Sequence, residues 1–189
     1  GEIKTAKEDS DEKMGLLKFD VSSLQGRLDA VESAELVLTY MGRRNSGEKG
    51  MDTIRAAVIP PSSAWSEGSV TWNTRPSFAA AEGSYRDSLE FDLEGSQNVI
   101  MAQDDKYVSS QAVDGRKVSI DITDFIKNLA EGQETLSLAV NETKGYELTF
   151  VSRDGAANNQ NADASMAPTL QVSLRTEEPG PAVVDKAAL

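Results

Sequence analysis

The chain predicts an all-β fold, an antiparallel β-sandwich with one short helix, on three observations. Short β-rich runs bounded by turn residues recur along the 189 residues, as expected of a sandwich. In the clearest of them, Ala34-Glu35-Leu36-Val37-Leu38-Thr39-Tyr40, the residues at 34, 36, 38 and 40 are apolar, so one face of a strand points inward and the other, with Glu35, Val37 and Thr39, outward. A helical period appears at one place: Ile122, Phe125, Ile126 and Leu129 repeat as a stripe that only a helix aligns.

Taken in order, strands are expected at Ile3–Ala6, Leu16–Val21, Ala34–Met41, Thr53–Ile59, Ser69–Trp72, Leu89–Leu93, Lys117–Ile122, Thr135–Asn141, Glu147–Val151 and Thr169–Leu174. The helix is expected over Thr123–Glu131, with Thr123 as its N-cap and Gly132 ending it. Residues 77–116 mix Ala, Gly, Ser and Asp with Tyr85, Phe91 and Tyr107. A structureless connection of that length is uncommon in a compact domain, so a hairpin around Leu89–Leu93 and a contact surface are expected there. Asp154–Ser165 reads as a solvated polar loop, and so does the basic cluster of Arg43, Arg44 and Lys49.

One domain accounts for this length: an arm and first strand over residues 1–14, a sandwich over 15–175 and a C-terminal extension over 176–189. Lys and Arg number 19 against 31 Asp and Glu, a net charge of −12. Such a surface repels phosphate backbones and anionic lipid, so neither nucleic acid nor a membrane is an expected partner. No apolar run approaches the roughly 20 residues of a membrane span. The absence of cysteine rules out disulfides, thiol chemistry and Cys-ligated zinc. With no histidine either, the commonest general base is missing, and catalysis is not expected. The start at Gly1, without a signal-type segment, reads as the mature form of an exported chain.

Asp20, Asp121 and Asp124 border strands, but no EF-hand spacing occurs. No cofactor is expected, and structural Ca²⁺ is the one metal to test. Asn141-Glu142-Thr143 matches a glycosylation sequon, a triplet common by chance.

The most informative stretch is Trp65-Ser66-Glu67-Gly68-Ser69-Val70-Thr71-Trp72-Asn73-Thr74-Arg75-Pro76. Upstream lies Gly15-Leu16-Leu17-Lys18-Phe19-Asp20-Val21-Ser22-Ser23-Leu24, and downstream come Val118-Ser119-Ile120-Asp121-Ile122-Thr123 and Phe150-Val151-Ser152-Arg153-Asp154. These four segments, in this order, resemble the DNRLRE domain family over about residues 2–175. The resemblance implies a secreted sandwich of jelly-roll type, extracellular or on the cell surface, in a family with carbohydrate-binding members. It also implies that a further N-terminal strand is missing, leaving an edge or groove to be covered.

Two functions follow as expectations. The first is a structural subunit of an extracellular filament or pilus, a homopolymer joined head-to-tail by donor-strand complementation. Its donor segments would be the arm around Ile3 or the apolar tail with Val183, Val184, Ala187 and Leu189, beyond the strand-breaking Pro179-Gly180-Pro181. The alternative is a carbohydrate-binding module for a cell-surface or extracellular polysaccharide, neutral glycans being favoured by the charge. Tyr85, Tyr107 and Tyr146 are its candidate contacts. Trp65 and Trp72 read first as residues closing the core and second as a sugar-stacking platform.

Overall fold

The computed structural model describes residues 2–5, 13–44, 52–76, 99–101, 117–142, 147–158 and 163–176. Nine strands lie in these segments: β1 (Glu2–Thr5), β2 (Gly15–Asp20), β3 (Val31–Arg44), β4 (Asp52–Ile59), β5 (Val99–Met101), β6 (Lys117–Asp121), β7 (Thr135–Glu142), β8 (Glu147–Val151) and β9 (Thr169–Leu174). Two short helices, α1 (Thr123–Lys127) and α2 (Arg153–Asn158), accompany them.

The strands form two antiparallel sheets. The larger runs β1-β8-β3-β6, with β9 also paired to β3, and the smaller runs β2-β7-β4-β5. Strand β3 organises the larger sheet: Val31–Val37 pair with β9, Glu35–Thr39 with β6, and the far end, past a register shift after Tyr40, with β8. The alternation of apolar residues explains the packing. Ala34, Leu36, Leu38 and Tyr40 on β3, Ile54 on β4, Ile120 on β6, Leu136 and Leu138 on β7 and Phe150 on β8 are all buried between the sheets. Each fully buried Leu or Ile stabilises the fold by about 1.5–3 kcal/mol before entropy is counted. Tyr40 and Phe150 meet edge to face with ring centroids 6.0 Å apart, the arrangement their ring quadrupoles favour. Helix α1 closes one end of the core with buried Ile126; the Ile122 amide donates to the Ala34 carbonyl at 2.9 Å.

Several expectations need correction. Ser69–Trp72 is no strand: the segment turns, and Trp72–Thr74 form a 3₁₀ turn. The Thr71 and Thr74 side chains cap that turn reciprocally, and such local hydroxyl bonds compete with a sheet ladder. A second helix occupies part of the segment read as a polar loop. Ser152 caps α2 by accepting from the Gly155 amide at 2.9 Å, and the Asn158 side-chain amide donates to the Asp154 carbonyl. Helix α1 ends at Lys127, four residues early, and Gly132 instead supplies a positive φ of 77° in the turn before β7. Arg43 and Arg44 continue β3 opposite Leu148 and Glu147, whereas a loop was expected. The short strand β5 was not anticipated, and Leu89–Leu93 lies outside the described residues.

The outer faces are less solvated than simple alternation predicts. Thr39 is fully buried and Val37 nearly so. Lys117 links this face to the turn at residues 163–166, donating to Thr39 Oγ1 at 2.8 Å and to the Ser165 carbonyl at 2.7 Å. Nearby, Val151 and Ala156 form a small buried cluster with Met166 and Ala167. No helix among the described residues is long and apolar enough to cross a membrane.

Candidate functional site

Where the two sheets part company along β1 and β2, the molecule has a groove of about 630 Å³. Among the described residues β2 pairs only with β7, so its other edge faces this groove, and Met14–Asp20 form the floor. Ile3 of β1, Trp65, Glu67, Ser152, Arg153, Asp154 and Pro168 complete its lining. Strand alternation decides what β2 presents. Leu17 is buried in the core, and Lys18 and Asp20 are exposed.

Lys18 is tied to Trp65 twice. Its ammonium lies 4.5 Å from the centroid of the indole and donates to the Trp65 carbonyl at 2.8 Å, a cation–π contact reinforced by a hydrogen bond. Below, the indole rests on Ala57, Ile59 and Ala139, with Met14 and Leu16 beside it. This apolar patch belongs to the outer face of the smaller sheet, because the neighbours of these residues on β4 and β7 point into the core. Trp65 Nε1 is buried and has no hydrogen-bond partner among the described residues. Also in the lining, Arg153 pairs with Glu67 at 3.2 Å and with Asp154 at 3.4 Å, all three side chains being well exposed. Such pairs stay exchangeable with water or with a polar ligand.

Asp20 is already engaged. Its Oδ1 accepts from the Ser22 hydroxyl and the Ser22 amide, and these bonds, the hydroxyl first, hold its pKa below the ordinary aspartate value. The same pattern at Asp121, with Thr123, and at Asp163, with Ser165, likewise lowers both carboxyls. Asp20 and Asp121 thus terminate strands and start helical turns. No group of three or more metal-ligating side chains gathers among the described residues.

The two tryptophans depart from their first reading. Neither belongs to the core between the sheets: Trp65 lies half-buried on the outer face, and Trp72 is 44% exposed. The cause is the exit of the chain from β4 at Pro60-Pro61, which carries both residues outside the sandwich. Tyr85, Tyr107 and Tyr146 lie outside the described residues, as do Val183, Val184, Ala187 and Leu189. Ile3 is buried and sits opposite Phe150 in the sheet of its own chain. Lys18 and Arg153 lie inside the family-like segments, but no motif in their local sequence marks them as site residues. Outward placement between Leu17 and Phe19 was the available signal for Lys18; that for Arg153 depended on α2, which the polar sequence concealed.

Comparison with known proteins gives a family and a distant relative. A gellan lyase from Bacillus sp. is 25% identical over 169 residues, 87% of this chain and 5% of that protein; the chain therefore spans only a small part of its relative's length. The family model for carbohydrate-binding module family 96 matches residues 2–119, a span that holds β1, β2, Trp65 and Glu67 while leaving the Ser152–Asp154 wall outside. With the match extending over most of the sequence, the chain belongs to carbohydrate-binding module family 96.

Proposed function

We propose that this protein is an extracellular, non-catalytic module that binds a polysaccharide in the groove beside β2. The observation that carries the reading is a groove in which the Trp65 indole, held by Lys18, adjoins the polar groups of Asp20, Glu67, Arg153 and Asp154. Aromatic carbon surface suits the C–H faces of a sugar ring, and convergent polar groups suit its hydroxyls. Two cations, Lys18 and Arg153, face three carboxylates, Asp20, Glu67 and Asp154, so the groove is one charge negative. With the chain at −12, a neutral glycan approaches at lower electrostatic cost than a uronate.

Affinity electrophoresis tests this. Gels carrying hydroxyethylcellulose, galactomannan, alginate or gellan, the last suggested by the relative's name, should retard the wild type most with a neutral polymer. Lys18→Ala and Arg153→Ala should run closer to the empty-gel mobility. Equal mobility of the wild type in every gel would refute the reading.

A second reading has its own support. Strand β2 has an edge without a partner strand among the described residues, and β1 is held by β8 alone, with Ile3 lodged against Gly15. Such a peripheral strand is suited to exchange between copies, which would build the homopolymeric filament or pilus by donor-strand complementation. Deletion of residues 1–8 or of 181–189 would then abolish filaments seen by negative-stain microscopy. A wild type that stays monomeric at high concentration rules this out.

A further inference from the structure

The remaining aromatic of the signature segment is mounted differently from Trp65. Trp72 is the one exposed large hydrophobic among the described residues, and exposure of a single apolar side chain is by itself ordinary. Its mounting is not. The Thr71 hydroxyl accepts from the Thr74 amide at 3.3 Å, the Thr74 hydroxyl accepts from the Thr71 amide at 2.9 Å, and the Thr74 hydroxyl also reaches the Ser69 carbonyl. Arg75 then folds back, its guanidinium carbon 4.2 Å from the centroid of the Trp72 ring, and donates to the Trp72 carbonyl. Buried Pro76 follows directly.

Resting on the carbohydrate reading above, we propose that Trp72, backed by Arg75, is a second glycan contact, a stacking platform for one pyranose ring of the polysaccharide. A stacked guanidinium limits the indole's rotamers, so little side-chain entropy remains to be lost on binding. Trp72 as a residue stays 44% exposed with Arg75 in place, which leaves area for the C–H face of a sugar. A long polysaccharide could engage both contacts where a short oligosaccharide engages one, and linked contacts raise the apparent affinity of the polymer.

The 189-residue chain carrying Trp65→Phe makes Trp72 the sole tryptophan. Its emission is followed during titration with hydroxyethylcellulose, galactomannan, alginate and gellan, beside affinity electrophoresis of Trp72→Ala, Trp72→Phe and Lys18→Ala. A blue shift with shielding from acrylamide is expected of Trp72 in the Trp65→Phe chain, and a three- to tenfold loss of affinity, on the order of a ring-stacking contact, is expected for Trp72→Ala. Trp72→Phe should recover part of the loss. Wild-type affinity in Trp72→Ala, with Lys18→Ala impaired, would overturn the proposal while leaving the groove intact. Loss in Trp72→Ala with Lys18→Ala unaffected would uphold Trp72 and dismiss the groove. A wild type bound by none of the polymers would overturn both.

Discussion

Asp20 and Asp121 make the same pair of bonds at the ends of two different sheets. Each Oδ1 accepts from the backbone amide two residues on at 2.9 Å and from that residue's hydroxyl at 2.6 Å, Ser22 in one case and Thr123 in the other. In both, a strand is stopped and a helical turn started by an Asp-x-Ser/Thr unit, which supplies acceptors to amides that the turn leaves unpaired.

A pH dependence follows from these units. Asp20, Asp121 and Asp163 all have folded-state values below the ordinary 3.8, so the folded state favours their charged forms. Their contribution to stability is complete above that value and is lost as pH falls through the lowered folded values. Thermal unfolding should therefore show Tm falling steeply below about pH 4. In the Asp121→Asn variant the acid slope should be shallower and the Tm at pH 7 lower. An unchanged slope would mean that other carboxylates dominate.

Thr123 connects the second unit to the core. Its Oγ1 accepts from the Ala34 amide at 2.9 Å while donating to Asp121, and this fixes α1 against β3. Thr123→Val keeps the shape and removes both bonds, and should cost about 1–3 kcal/mol in urea unfolding. Thr123→Ser should be the milder change.

Gly15 and Ile3 are fitted to one another. A Cβ at Gly15 would collide with Ile3 Cγ2 and with Val140 Cγ2, both held in paired strands. Gly15→Ala should destabilise the fold by about 1–3 kcal/mol, as overpacking does. Combining it with Ile3→Ala should give a smaller loss than the sum of the two single changes, since the second substitution removes one of the two colliding methyl groups. Full additivity would show that the contact does not couple them.

Lys117 and Thr39 give a test on the opposite face. Thr39 is the one fully buried polar residue among those described, and Lys117 donates to its hydroxyl. Lys117→Met should cost about 1–3 kcal/mol by stranding that hydroxyl. Adding Thr39→Val should recover most of the loss, as chemical denaturation of the three variants would show.

The alternation in residues 34–40 made the core legible, because Ala34, Leu36, Leu38 and Tyr40 needed only a period of two to be placed. Burial of Thr39 was not legible, since Lys117, which bonds to it, and Ser165, which bonds to Lys117, are 78 residues and more away along the chain. The groove was not legible, because beside β2 its lining comes from four distant segments, Ile3, Trp65 with Glu67, Ser152–Asp154 and Pro168, that the fold brings together. Trp65 and Trp72 were marked by sequence, yet their position outside the sandwich followed from the turn at Pro60-Pro61 and the Thr71–Thr74 cap. Local hydroxyl capping overrode β-propensity there.

Hydrogen exchange tests the groove most directly, with the protein saturated by the polysaccharide that retards it most strongly. The account predicts protection in peptides covering residues 14–20, 65–67 and 152–154, and little change over β6 and β9. Binding without protection at any of these three segments would contradict it.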